Sequence, residues 1–132
     1  MLYCLDTNII VDFFQNEKAI VQKMSELEQQ QVTIVCTPII LCELYKGAYL
    51  GSRQKERLDL VEAFLKRARI LEFTKYAADI FGQRYAELKK QGKQTQEFDL
   101  MIASICVAHN AILITRNESD FKNIKNLKFQ VW

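Results

Sequence analysis

An α/β fold built on a mostly parallel sheet is predicted by three features of the chain. Short apolar or β-branched runs recur at residues 2–5, 32–36, 69–73 and 112–115, each of strand length. Longer amphipathic stretches of helical length separate them. Helix start and stop signals fall between the two kinds of segment, as in Thr37-Pro38 and Gly92. Strands alternating with helices need crossover connections, and these make neighbouring strands parallel.

Taken in order, residues 2–5 read as a buried strand, and Asp6-Thr7-Asn8 is polar punctuation able to cap a helix over 9–15. A second helix is expected over 18–31 and a second strand over 32–36. Thr37 offers an N-cap oxygen, and Pro38 at the first helical position loses no hydrogen bond. That helix should run to about Leu50 and stop near Gly51-Ser52; another follows over 53–66. After a third strand at 69–73, a long helix over 75–91 should be closed by Gly92. Residues 98–110 are apolar on most faces and predict a largely buried helix. A fourth strand at 112–115, a polar loop at 116–126 with room for one helical turn, and a final strand at 127–131 complete the reading.

The chain has 132 residues, 49% hydrophobic and 26% charged, with one proline and no repeat or linker. A single domain over residues 1–132 is therefore expected. Cys4, Cys36, Cys42 and Cys106 each sit in apolar surroundings and form no CxxC pair, so reduced core thiols are expected. The longest nearly apolar run, 100–108, is far short of a membrane span, and residues 2–5 end at Asp6 too soon for a signal peptide. A cytoplasmic protein that does not enter a membrane is expected.

Four acids carry the chemistry. Asp6 directly follows the first strand, where ligands bind in open parallel sheets. Glu43 lies in the helix begun by Thr37, beside Ile39, Ile40 and Gly47, which puts a carboxylate on or next to an apolar face. Asp99 opens a helix that turns apolar at once with Leu100-Met101-Ile102-Ala103. Asp120 follows the fourth strand and precedes Phe121, a residue able to anchor the turn to the core. Taken singly, each has a plainer reading: helix caps for Asp6 and Asp99, a rim glutamate paired with Lys46, a solvated loop. Together they favour a pocket for a divalent cation. Carboxylates brought to ~4 Å repel by about 4 kcal/mol per pair at an effective dielectric near 20, and a cation removes that repulsion. Mg²⁺ or Mn²⁺ suits oxygen ligands and can activate water against a phosphodiester. Of the 16 acids, four assigned to a cation leave 12 against 18 Lys and Arg, or +6 in place of the overall +2. That balance suits a polyanionic substrate.

Other chemistries are excluded. His109 is the only histidine, so neither a two-histidine ribonuclease nor a multi-histidine zinc site is available. No GxSxG, Walker loop or GxGxxG occurs.

Leu5-Asp6-Thr7-Asn8, Glu43 in its helix, Phe98-Asp99-Leu100-Met101-Ile102-Ala103 and Thr115-Arg116-Asn117 with Asp120-Phe121 resemble a PIN-domain toxin of the VapC type, as does the ending Lys128-Phe129-Gln130-Val131-Trp132. The resemblance covers the whole chain. It implies an α/β/α sandwich with a central parallel sheet and a Mg²⁺- or Mn²⁺-dependent endoribonuclease of a type II toxin–antitoxin pair. Asp6 and Asp99 match the family's metal ligands, and Glu43 the third acid, acting directly or through water. Thr7 and Asn8 match residues that support the first aspartate, and Thr115 the hydroxyl at the pocket floor. Many PIN domains carry Asp where this chain has Asn117, and Asp120 can supply that charge. The resemblance further implies a homodimer, a small antitoxin of the VapB type, and a structured RNA target such as a tRNA. Arg116, Lys122 and Lys125 are read as phosphate contacts at the pocket mouth. Two rival readings remain: a nuclease acting on DNA, and a non-catalytic module whose acids hold a cation or a partner's arginine.

Overall fold

The computed structural model describes residues 1–132. The chain runs β1 (Leu2–Leu5), α1 (Thr7–Phe14), α2 (Lys18–Gln29), β2 (Thr33–Cys36), α3 (Pro38–Leu50), α4 (Gln54–Leu65), β3 (Arg69–Ile70), α5 (Lys75–Lys90), α6 (Glu97–His109), β4 (Ile112–Thr115), α7 (Glu118–Phe121) and β5 (Lys128–Val131). All five strands are parallel and lie in the order β3-β2-β1-β4-β5. The chain builds outward from β1 to β3, then returns to the other side of β1. With right-handed crossovers, that reversal puts the helices before and after β3 on opposite faces of the sheet. The expected PIN-like α/β/α sandwich is the fold observed.

Burial follows position in the sheet. The central strand β1 is buried apart from Leu2, and β4 is buried throughout, which accounts for their continuous apolar sequences. The edge strands β3 and β5 are mostly exposed. β3 is only two residues long, against the five expected. The chain leaves the sheet after Ile70, and Leu71 then buries itself while its N–H donates to the Cys36 carbonyl. His109 Nε2 lies 2.9 Å from the Glu72 carbonyl and ties this departing segment to the end of α6.

Local chemistry places the helix ends. The Thr37 hydroxyl is buried and accepts a hydrogen bond from the Ile40 N–H at 3.1 Å, with Pro38 following. α3 buries Ile40, Leu44 and Ala48, a stripe at fourfold spacing. Two residues beyond Ile40 the helix has turned by about 200°, so Cys42 faces solvent. This corrects the expectation of four core thiols: only Cys4, Cys36 and Cys106 are buried, and all four are free. Gly92 follows α5 with φ +67°, and the N–H groups of Gly92 and Lys93 donate to the carbonyls of Lys89 and Leu88. That pairing is a Schellman turn, which a left-handed glycine permits.

No helix is long and apolar enough to cross a membrane. Thr37→Ala should lower stability by about 1–2 kcal/mol, since it leaves a buried helix-terminal N–H without its acceptor. Urea denaturation monitored by circular dichroism measures this; an unchanged midpoint would contradict the capping role.

Candidate active site

The reversal of strand order falls between β1 and β4, which pair directly, with the Asp6 N–H donating to the Ile114 carbonyl at 2.8 Å. A crevice opens at the carboxyl ends of strands at such a switch point. Asp6 leaves β1 there, and Thr115 and Asn117 leave β4 beside it.

Asp6 is buried, and both carboxylate oxygens are engaged. Oδ1 accepts from the Thr7 N–H at 2.9 Å, and Oδ2 accepts from the Thr115 hydroxyl at 2.7 Å. Asp6 is therefore both the cap of α1 and a member of the pocket, so the two readings of this residue coexist. Burial pushes its carboxyl above the ordinary value, the hydrogen bonds from Thr115 and Thr7 draw it back, and the charge of Asp120 raises it again. Thr115 is buried and also accepts the Asn117 N–H at 3.0 Å, so one hydroxyl braces both the acid and the turn after β4.

Glu43 lies at the margin of the buried stripe of α3, one residue before Leu44, and is partly buried. Its Oε1 accepts from the Thr7 hydroxyl at 2.9 Å. Thr7 thus serves two acids, Asp6 through its backbone and Glu43 through its side chain. Asn8 stands exposed in the same turn, outside this network.

Asp99 sits in the first turn of α6 and is half-buried. Burial raises its carboxyl to about 6, and the charges of Asp6, Asp120 and Glu43 push in the same direction. The four acids, drawn from four separate segments, therefore share one electrostatic neighbourhood. Asp120 is partly buried, and Phe121 beside it is fully buried, as expected of an anchor, whereas Glu118 faces solvent. Asn117 caps α7 without a side-chain hydrogen bond.

The basic residues have diverse fates. Arg116 is ion-paired with Asp12 and Glu17 and ties the β4 loop to α1 and the start of α2. Its contact with Asp12 Oδ2 lacks hydrogen-bond alignment, so that buried oxygen is matched by charge alone. Lys122 and Lys125 are exposed. No Lys or Arg is paired with Asp6, Glu43, Asp99 or Asp120. Thr95, which sequence spacing did not single out, donates its hydroxyl to the Asp120 carbonyl at 3.4 Å and joins the loop before α6 to α7. Its partner lies 25 residues away, beyond the reach of any local pattern.

The donor set is carboxylate and hydroxyl oxygen without thiolate or imidazole, which suits Mg²⁺ or Mn²⁺. No three acidic, histidine or cysteine side chains form a ready cage for a metal ion. The buried thiols of Cys4 and Cys36 are pushed up, Cys4 first by its hydrogen bond with Cys106 and then by burial, and Cys36 to about 12 by burial. They stay protonated and unavailable as ligands at neutral pH.

The crowding has a measurable consequence without metal. The folded-state value of Asp99 lies above that of the unfolded chain, so the folded form holds the proton more tightly. Stability should therefore fall as pH rises from about 4 to about 6 and stay lowered above that. In chelator, Asp99→Asn should be more stable than the parent at pH 7 by about 1 kcal/mol, after discounting for solvent screening of a half-exposed group, and should show a smaller pH dependence, with the share due to Asp6 remaining. Denaturant titrations at pH 5 and pH 7 test this; a less stable Asp99→Asn protein would refute the repulsion.

A PIN domain family model matches residues 3–127. A Rickettsia felis protein named ribonuclease VapC2 is 33% identical over 132 residues, covering 100% of this chain and 98% of its own. A Shigella flexneri protein named tRNA(fMet)-specific endonuclease VapC is 32% identical over 130 residues, covering 98% and 97%. Among solved structures, VapBC2 from Rickettsia felis, bound to a DNA fragment from its promoter, superposes with a TM-score of 0.91 at 32% identity over 100% of this chain and 99% of that one. With the fold, the family model and full-length relatives in agreement, the chain belongs to the PIN-domain family, within its VapC branch.

Proposed function

We propose that the chain is the toxin of a VapBC-type toxin–antitoxin pair and cleaves RNA phosphodiesters with Mg²⁺ or Mn²⁺. One observation carries the catalytic part: four carboxylates from separate segments gather beyond β1 and β4 with no protein cation to balance them. The names of the full-length relatives, ribonuclease and tRNA(fMet)-specific endonuclease, support RNA as the substrate and a tRNA as its class.

Asp6 and Asp99 would hold the ion, with Glu43 contributing directly or through water and Asp120 adding charge. When bound, the ion offsets negative charge on the phosphoryl oxygens and makes its water more acidic. The protein does the positioning. Thr115 and Thr7 fix the Asp6 carboxylate, and Thr7 fixes Glu43 on the adjacent helix. Asp99 or Glu43 orients the attacking water and accepts its proton. Attack on phosphorus in line with the leaving 3′-oxygen yields a 5′-phosphate and a 3′-hydroxyl.

A homodimer and a small VapB-type antitoxin are proposed as partners. The solved neighbours crystallised as VapBC complexes support the antitoxin. A groove of about 510 Å³ between α1, α3 and α4 includes Glu43 in its lining, so a bound segment there would reach the acids. The exposed Tyr49 and Leu50 at the end of α3 offer apolar area for a second copy.

Asp6→Asn and Asp99→Asn should each lower Mg²⁺-dependent cleavage of total cellular RNA by about 100-fold or more while keeping the circular dichroism spectrum. Full cleavage by either variant would overturn the mechanism, and equal cleavage of matched DNA would overturn the substrate assignment. Asp120→Asn should raise the Mg²⁺ concentration needed for half-maximal cleavage by about tenfold, whereas Asn117→Ala should not. The reverse ranking would move the fourth group from Asp120 to Asn117.

A further inference from the structure

A second cleft lies between the end of α5 and the start of α6, the helix that carries Asp99. It has a volume of about 350 Å³, within the ~300–1,000 Å³ of small-ligand sites. One wall is the last turns of α5, where Tyr85, Leu88 and Lys89 share a face at helical spacing. The other wall is the loop into α6, with Lys93, Gln94 and Gln96. Leu100, the residue after Asp99, forms part of the lining. The Thr95 hydroxyl in this loop bonds the carbonyl of Asp120, so the cleft wall is tied to the segment that carries that acid.

The chemistry of this lining is that of a nucleotide site. Tyr85 packs against Phe81 with ring centroids 6.1 Å apart and 28° between planes, and remains 41% exposed. It offers a braced aromatic surface on which a base can stack. Lys89 and Lys93 take part in no ion pair; Lys93 Nζ reaches only the Asn123 side-chain oxygen at 3.2 Å. Two lysines and two amides against the single acid Glu97 favour a phosphate and the polar edge of a base. The Schellman turn at Gly92 folds the chain back so that the Lys93 backbone meets Leu88, one residue from Lys89.

We propose that this cleft is a subsite for a single-stranded nucleotide of the RNA substrate, flanking the scissile phosphate, with Tyr85 stacking the base and Lys89 and Lys93 holding the backbone. The proposal rests on the ribonuclease reading above. It makes the α5–α6 loop a substrate-binding element of the chain.

The test uses the full chain and two measurements. Binding of a short single-stranded RNA to the Asp99→Asn protein is read by fluorescence anisotropy, and KM and kcat for the same RNA are read with Asp99 intact. Tyr85→Ala and the Lys89→Glu/Lys93→Glu pair should each weaken binding and raise KM by about tenfold, with kcat changed little. Tyr85→Phe should keep wild-type values, because the aromatic face is retained. The Lys66→Glu/Arg69→Glu pair, an equal charge change at the opposite end of the sheet beside Val32 and Thr33, should match wild type. Wild-type cleavage with unchanged binding and KM in the Tyr85 and lysine variants would overturn this subsite alone. A wild-type protein inert on RNA would overturn the ribonuclease reading beneath it. Equal loss in the Lys66→Glu/Arg69→Glu pair would reduce the effect to bulk charge and also overturn the subsite.

Discussion

The contact on which the site depends joins the Thr115 hydroxyl to the Asp6 carboxylate at 2.7 Å across 109 residues of sequence. A buried carboxylate is costly unless hydrogen bonds replace its lost water. Here the Thr115 hydroxyl takes one oxygen and the Thr7 N–H the other. The bond forms only because β4 inserts beside β1, the last pairing made around the central strand. Closing the sheet and building the pocket are therefore one event. Thr7 and Thr115 then pass the constraint outward, to Glu43 on α3 and to the Asn117 turn.

The acids themselves work against the fold. Asp99 is raised by burial and by the three neighbouring carboxylates, so its ionised form is disfavoured in the folded chain. Arg116, which follows Thr115 directly, is turned to Asp12 and Glu17 instead. Pairing an arginine with the acids would relieve the repulsion and block a cation at the same time. Leaving them unbalanced keeps the pocket open to a divalent ion or to a partner's charge. Such tension between stability and function is common at active sites.

Two clefts of different character involve elements that carry the acids. Toward Glu43 the walls mix apolar residues with Arg53 and Arg57. Toward Asp99 they carry lysines, amides and one exposed tyrosine. Both linings include basic side chains, Arg53 and Arg57 in one and Lys89 and Lys93 in the other. This agrees with the charge balance of the sequence, in which the excess of Lys and Arg emerges once the four acids are set apart.

The sequence by itself determined what is local. Strand runs, the Thr37-Pro38 cap, the Gly92 stop and the buried character of α6 were all legible, because capping, left-handed turns and apolar periodicity act within a few residues. Asp6, Glu43 and Asp99 could be singled out because each interrupts or opens an apolar segment, and the family resemblance placed them together. Tertiary structure decided the rest. The length of β3 depended on where Leu71 could bury, and the exposure of Cys42 on which face of α3 met the core. The engagement of Arg116 by Asp12 and Glu17 and the Thr95–Asp120 link needed segments far apart in sequence to meet. Hydrogen bonds and ion pairs of that kind leave no period or motif, since their partners are chosen by the packing of the sheet and not by the neighbouring residues.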